Sequence, residues 1–473
     1  MSKRLIVVFF LLLLLQPYPF VWSAEQVSAL SKQPIKTVVT DRFETGVVLT
    51  KKVLLPNGDL YWMKRLEFTS DHREPYTFSI PLSGSNGTFR YVERLPAGNR
   101  WATIPVDTKL PQPSGFLQTN QMSMLLNASN FYIKNVQGTF EQQPNPLPIN
   151  VIRTLDGYKI HVHFPQKKNS IAEIWGLESK ESLVDWSSTP DLEAIWLAID
   201  LQEHSKWSWD GYYVRSPQTY TPYSPNMFWR LPANYAAHSF IITGGSRAAD
   251  DLGWVMLDTI LPNQNREGYW ETLPRSEWLW KDYGIGAGFF DTRFNTDIAT
   301  LLLKGYRRYG DRHFYQAAEK YSYYLLAHID HHHYTNYGES EGWLPADYSW
   351  KQPHKKTHVS LNHHLHEMNF LYEMYLETKQ EFYKEMADKL LYGVKNTKSM
   401  WIKPNHDLHY AYLPNGKMGL QDYPFLTYND LVESQSLFVK IYGRMDPDLA
   451  ELMANKKQWM DQTGVKGYRF FPL

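Results

Sequence analysis

The feature that most constrains this chain is a change of hydrophobic period near residue 246. Upstream, the runs Thr37-Val38-Val39-Thr40 and Gly46-Val47-Val48-Leu49-Thr50 are rich in β-branched residues. Val53-Leu54-Leu55 and Leu60-Tyr61-Trp62 flank Asn57-Gly58, the pattern of a hairpin, and Asn86-Gly87 and Asp156-Gly157 repeat the device. Tyr158 to Phe164 alternates at period two, as a half-buried strand does. Hairpins in series predict an antiparallel sandwich or curved sheet over 24–205. Downstream the period becomes that of a helix. It predicts helices over 248–261, 291–309, 314–329, 359–378, 382–397, 428–442 and 446–459. These pair through short turns such as Tyr309-Gly310-Asp311, and the long loops 265–290, 330–358 and 400–427 separate the pairs. That layout predicts a toroid of paired helices over 246–473, its long loops gathered at one mouth. An irregular helical bundle is the alternative. The expected class is multidomain β plus α: an antiparallel β-rich region followed by an α/α toroid.

Between the halves, 206–245 crowds Trp207, Trp209, Tyr212, Tyr213, Phe228 and Trp229 among Pro217, Pro222, Pro225 and Pro232. Proline excludes a regular helix or a central strand, so the segment reads as an aromatic linker and one wall of a cleft.

Lys+Arg and Asp+Glu both number 49. A chain without a basic surplus is not built for nucleic acid. It has no cysteine, which excludes disulfides and thiolate metal sites. Aromatic residues make up 15%, with 17 Trp and 32 Tyr, a surplus that suits either a carbohydrate cleft or a large core. Lys3 and Arg4 precede the 11-residue apolar run Leu5–Leu15, and Val21-Trp22-Ser23 follows it. This is the pattern of a signal peptide over 1–23, cleaved after Ser23, and it places the protein outside the cytoplasm. A retained N-terminal anchor is the alternative. No later apolar run reaches the roughly 18 residues of a membrane span.

Chemistry-bearing residues collect in the long loops. The stretch 267–288 mixes aromatic, charged and glycine residues, among them Arg275, Trp280 and Lys281, and reads as a cleft floor. It lacks the spacing of a nucleotide fingerprint. Eleven of the 17 histidines fall between His328 and His409. His363 and Glu367 lie one helical turn apart, but His363-His364-Leu365-His366-Glu367 is not a standard ligand spacing. No metal and no cofactor is expected, and His358, His363 and Trp343 read as substrate-binding cleft lining. Asp347-Tyr348, Tyr410, Tyr412 and Tyr423 stand in the loops, and Tyr428 at the start of the helix that follows, with many carboxylates nearby. No single glycosidase pair stands out among these, and a tyrosine-rich site suits proton transfer at carbon.

Three stretches carry a resemblance. They are the helix pair Asn295–Leu326, the loop and helix Trp343–Tyr375, and Asp407–Ile441 with its Asp422-Tyr423. Over about 200 residues this order resembles the C-terminal domain of the D-glucuronyl C5-epimerase family. The resemblance implies β domains before a helical toroid, and tyrosines with an acidic residue as the acid/base groups. Asp347-Tyr348-Ser349 stands where the family has Glu-Tyr-Pro. Tyr410 or Tyr412 matches the next tyrosine, and Tyr423 or Tyr428 the last.

The function implied is an exported C5-epimerase-like enzyme acting on a uronate-containing polysaccharide, with a homodimer left open. C5 epimerisation needs the substrate carboxylate neutralised, and Arg275 is the expected partner. A tyrosine base needs a cation to lower its pKa, expected from Arg275, Lys281 or the histidines. A uronate lyase, a glycoside hydrolase and a non-catalytic polysaccharide-binding envelope protein stay open. The mature exported chain is expected to begin at Ala24 by N-terminal mass spectrometry; an N-terminus that still carries Leu5–Leu15 would mean a retained anchor.

Overall fold

The structure is a computed structural model. It describes residues 33–469 apart from 97, 108, 137, 189–191, 199–203 and 243, so the expected signal segment lies outside it. No described helix is long and apolar enough to cross a membrane.

The N-terminal half is antiparallel throughout. A thirteen-stranded sheet is centred on Ser170–Ser179, which pairs with Leu60–Phe68 on one side and with Asn130–Lys134 and Ser123–Leu126 on the other. A four-stranded sheet joins His72–Ser83, Gly157–Gln166, Ile149–Thr154 and Lys109–Leu110. Successive strand residues point to opposite faces. Trp62, Leu66 and Ile174 therefore meet Ile80, Leu82, Ile160 and Phe164 of the small sheet in one core. Their neighbours Tyr61, Met63, Trp175 and Leu177 share a second core with Leu252, Val255 and Met256 of the helical half. The large sheet is thus buried on both faces, as the middle of three layers.

The turn dipeptides divide. Asn57-Gly58 and Asp156-Gly157 close hairpins in register, Leu54 opposite Leu60 and Thr154 opposite Gly157. Asn86-Gly87 does not. The strand before it pairs within the small sheet and the strand after it within the large one, so this turn crosses between layers. A turn dipeptide sets local dihedrals, and pairing partners are chosen by burial. The segment 206–245, expected as an aromatic linker, contributes strands. Ser205–Ser208, Gly211–Arg215 and Met227–Arg230 extend the large sheet; Pro217, Pro222 and Pro225 fall in the connection between the last two, and Pro232 follows the third.

The α-helices among the described residues are α1 (Leu192–Ala198), α2 (Tyr235–Ile242), α3 (Arg247–Ile260), α4 (Glu277–Tyr283), α5 (Thr292–Tyr309), α6 (Arg312–His331), α7 (Leu361–Thr378), α8 (Glu381–Asn396), α9 (Lys398–Trp401), α10 (Leu426–Tyr442) and α11 (Pro447–Thr463). Their ends follow local chemistry. Ser246, Asp291, Asp311 and Asp446 cap N-termini with their side chains, and Gly310, Gly443 and Gly464 end helices in the left-handed conformation. Four hairpins result: α2–α3, α5–α6, α7–α8 and α10–α11. Helices α2, α5, α7 and α10 touch in that order and form an inner layer. Helix α7 is buried from Leu361 to Met374, whereas an outer helix such as α8 buries one stripe.

The long loops are ordered. Val359–Ser360, His409–Tyr412 and Met418–Gln421 form a small sheet over the start of α7. Lys456 of α11 anchors both sides of it. Its buried ammonium lies 2.6 Å from Asp407 and 2.7 Å from Asp422. Removing one partner of a buried ionic group leaves uncompensated charge. Lys456→Met is therefore expected to destabilise the protein by about 3–5 kcal/mol in denaturant unfolding; a loss under about 1 kcal/mol would mean the loop is held otherwise.

Candidate active site

The N-termini of the four inner helices converge on one cavity of about 420 Å³. Asn234 and Tyr235 come from the start of α2, Asp291, Arg293 and Asp297 from α5, Asn362 and His363 from α7, and Leu426 from α10. The loops add Tyr348, Tyr410 and Tyr423, and the C-terminal stretch adds Arg469. Such a volume is that of a small-molecule site.

Asp291 caps α5, accepting from Phe294 N at 3.0 Å, and its strand partner across a short bridge is Tyr348. Burial, together with the Asp347 and Asp297 carboxylates nearby, pushes its pKa up to about 8 against the cap hydrogen bond. It is a carboxylic acid at neutral pH. Asp347 lies behind the wall, fully buried. Its Oδ1 accepts from Ser360 N at 2.8 Å, and its Oδ2 accepts from the Ser360 hydroxyl and lies 3.3 Å from His358 Nε2 and 3.8 Å from His363 Nδ1. Burial opposes its ionisation, but His363, His358 and Ser360 hold it below the usual carboxylate value. His363 Nδ1 also meets Thr292 Oγ1 at 2.9 Å. Burial brings the imidazole down to about 4, so it is neutral.

The phenols behave unlike the expectation. Burial raises Tyr348 well above its ordinary value, and Tyr410, Asp291 and Asp347 raise it further. Tyr410 and Tyr423 are raised too, by burial first and then by Asp347 and Asp291 respectively. These tyrosines are proton holders rather than phenolate bases.

Of the residues predicted from sequence, Asp347, Tyr348, His358, His363, Tyr410 and Tyr423 come together. Ring centroids are 5.7 Å apart for Tyr348–His363 and Tyr410–Tyr423, and 6.0 Å for His358–Tyr410. The others are placed elsewhere. Arg275 pairs with Glu277 at 2.8 Å and lies over Trp280 outside the cavity, and Lys281 is exposed on α4. Trp343 stacks on His333 at 3.9 Å under Lys389. Tyr412 packs on Tyr334, and Tyr428 is buried against Tyr468. The histidines of α7 fan out, with His364 Nε2 on Leu390 O at 2.8 Å and His366 Nε2 on Asp297 at 2.9 Å.

Sequence reasoning missed Asp291, Arg293, Asp297, Asn234, Asn362 and Arg469. One signal was available: Asp291 opens a predicted helix, and Arg293 and Asp297 sit one turn apart just inside it. Arg293 is ion-paired to Asp430 at 2.7 Å and to Asp297 at 3.2 Å. Burial disfavours ionisation of Asp297, yet Arg293 and His366 hold it well below its ordinary value. The cavity wall therefore carries a protonated acid, an ionised one and a neutral imidazole.

No family model and no curated protein sequence matches the chain. Among solved structures, it is similar to a family 76 glycoside hydrolase from a bovine Bacteroides thetaiotaomicron strain, with 10% identity, TM-score 0.40, and 91% of this chain and 78% of that one covered. It is also similar to a D-mannose isomerase (15%, TM-score 0.36, 48% and 57%) and to cellobiose 2-epimerase from Spirochaeta thermophila (12%, TM-score 0.37, 59% and 73%). The chain spans little more than half of the isomerase. At such scores and identities, function has to be read from the geometry itself.

The Asp291 carboxyl ¹³C resonance is expected to titrate near pH 8 while Asp297 stays ionised down to the acid limit of the fold. Because the folded pKa of Asp291 lies above the unfolded one, its contribution to stability is full below about pH 4 and lost as pH rises through about 8. A midpoint near 4 for Asp291 would remove it as the acid.

Proposed function

We propose that this protein is a carbohydrate-active acid–base enzyme that moves a proton on a ring carbon, with a C5-epimerase-like reaction on hexuronate residues of a polysaccharide as the specific form. The observation that carries this reading is the meeting of a protonated carboxyl, Asp291, and a neutral imidazole, His363, on one tyrosine-lined cavity. In this reading the arc of helix hairpins is part of an α/α toroid, and the apolar run Leu5–Leu15 exports the chain.

Nδ1–H of His363 is turned to Thr292 Oγ1 and the Asp347 carboxylate, which leaves the Nε2 lone pair for the cavity. It removes the proton next to the substrate carboxylate. The developing charge must be neutralised, and the Asp291 acid and Arg469 do so in place of Arg275. A phenol that keeps its proton, Tyr348 or Tyr410, returns one to the other face. Asp347 touches no substrate and positions His363 and His358.

A second reading, glycoside hydrolysis, has its own observation: Asp291 and Asp297 line the same cavity in opposite protonation states. One assay separates the readings. A glucuronate polymer incubated with the protein in deuterated water is expected to gain deuterium at C5. Asp291→Asn and His363→Gln are expected to lose at least about a hundredfold in rate, and Tyr428→Phe to keep wild-type rate. New ultraviolet absorbance would mark a lyase, and new reducing ends without it a hydrolase. Binding with none of these would mark a non-catalytic protein.

A further inference from the structure

Two buried amides on the cavity wall each have one buried atom without a hydrogen-bond partner. Asn234 is 2% exposed and caps α2, its Oδ1 accepting from Ala237 N at 3.0 Å. That bond fixes the direction of the amide, and its Nδ2 donates to nothing. Asn362 is 1% exposed in the first turn of α7. Its backbone carbonyl accepts from Arg293 Nη1 at 3.0 Å, but its side-chain Oδ1 accepts from nothing. Helices α2 and α7 both touch α5, so the amides sit on either side of the helix that carries Asp291. Buried amide groups are nearly always hydrogen-bonded, because leaving one unpaired forfeits its hydration without return. Asn127 and Asn130 in the β-rich half also have unpartnered amide atoms, but Asn234 and Asn362 share one cavity, where a ligand can supply what they lack.

The pair also specifies chemistry. Asn234 offers a donor and Asn362 an acceptor. A carboxylate or phosphate oxygen only accepts, so it serves Asn234 and leaves Asn362 unpaired. A hydroxyl both donates and accepts, so hydroxyl groups satisfy both amides. We infer that Asn234 and Asn362 are the specificity-determining residues of this site, each reading one hydroxyl of a polyhydroxylated ring. This deepens the carbohydrate reading above and rests on it, but it does not depend on which reaction follows. A site built to hydrogen-bond a hydroxyl rejects the analogue that lacks it, since its own polar groups are then stranded.

The test uses the full-length mature protein with methyl glucuronoside and methyl mannoside, each with its set of monodeoxy analogues, by calorimetry. Asn234→Asp keeps the helix cap and removes the donor. Asn362→Leu keeps the shape and removes the acceptor. Each is expected to weaken binding of a parent glycoside by roughly tenfold. For each variant one monodeoxy analogue is expected to bind wild type and variant equally. The Asn234 side-chain NH₂ resonance of the wild type is expected to shift on titration with sugar, a readout that needs no variant to fold. Variants that bind as wild type does, or that lose equally for every analogue, overturn the proposal and leave the enzyme reading standing, with the amides satisfied by water alone. Binding of neither parent glycoside to wild type overturns both. Loss in the variants without any deuterium exchange supports the hydroxyl contacts and removes the epimerase.

Discussion

One guanidinium joins three of the four inner helices. Arg293 of α5 bonds Asp430 of α10, the Asn362 carbonyl of α7 and Asp297 one turn along its own helix. His366 of α7 closes the group onto Asp297. The charge is largely buried, so each carboxylate is held by it and would be costly without it. Aliphatic residues of equal volume would pack there, but they would set neither the rotation of α7 nor the direction in which Asn362 and His363 face. The cluster fixes geometry, and the cavity is its consequence. It also sets the electrostatics of the wall: with its two carboxylate partners Arg293 has no free charge for a ligand.

A second constraint lies at the seam between sheet and helices. Arg247 at the start of α3 grips Asp59 in the hairpin at Asn57-Gly58, with Nη2 at 2.9 Å from Oδ1, and Asn57 donates to Asp251 at 2.7 Å. Burial and the adjacent Asp59 push Asp251 up to about 8, so one carboxyl of the pair keeps its proton and the two can lie side by side. With the large sheet buried on both faces, this seam turns three layers into one support. The strand Met227–Arg230 then carries Trp229 against Phe294 in the first turn of α5, which links the sheet to the cavity rim.

Much of this was legible in the chain. The predicted helices 248–261, 291–309, 359–378 and 382–397 match α3, α5, α7 and α8 to within a few residues, because their apolar stripes and caps are local. The hairpins at Asn57-Gly58 and Asp156-Gly157 were equally plain. The strands within 206–245 are not legible, because its prolines argue against strands and nothing local says that they fall outside them. Asp347 and Tyr348 were found by the order of loop and helix. Arg275, Trp343, Tyr412 and Tyr428 have the same composition around them, and nothing in the sequence says that they face away from the cavity.

What the sequence determined by itself was the pair of periodicities, and with them a β-rich half followed by helices in pairs, since both follow from side-chain spacing along one element. Which residues share the cavity was decided only by tertiary structure. Asn234, Asp291 and the neighbours Asn362 and His363 are far apart in the chain and meet because the starts of three helices converge. Their protonation, too, depends on neighbours and burial that no stretch of sequence contains.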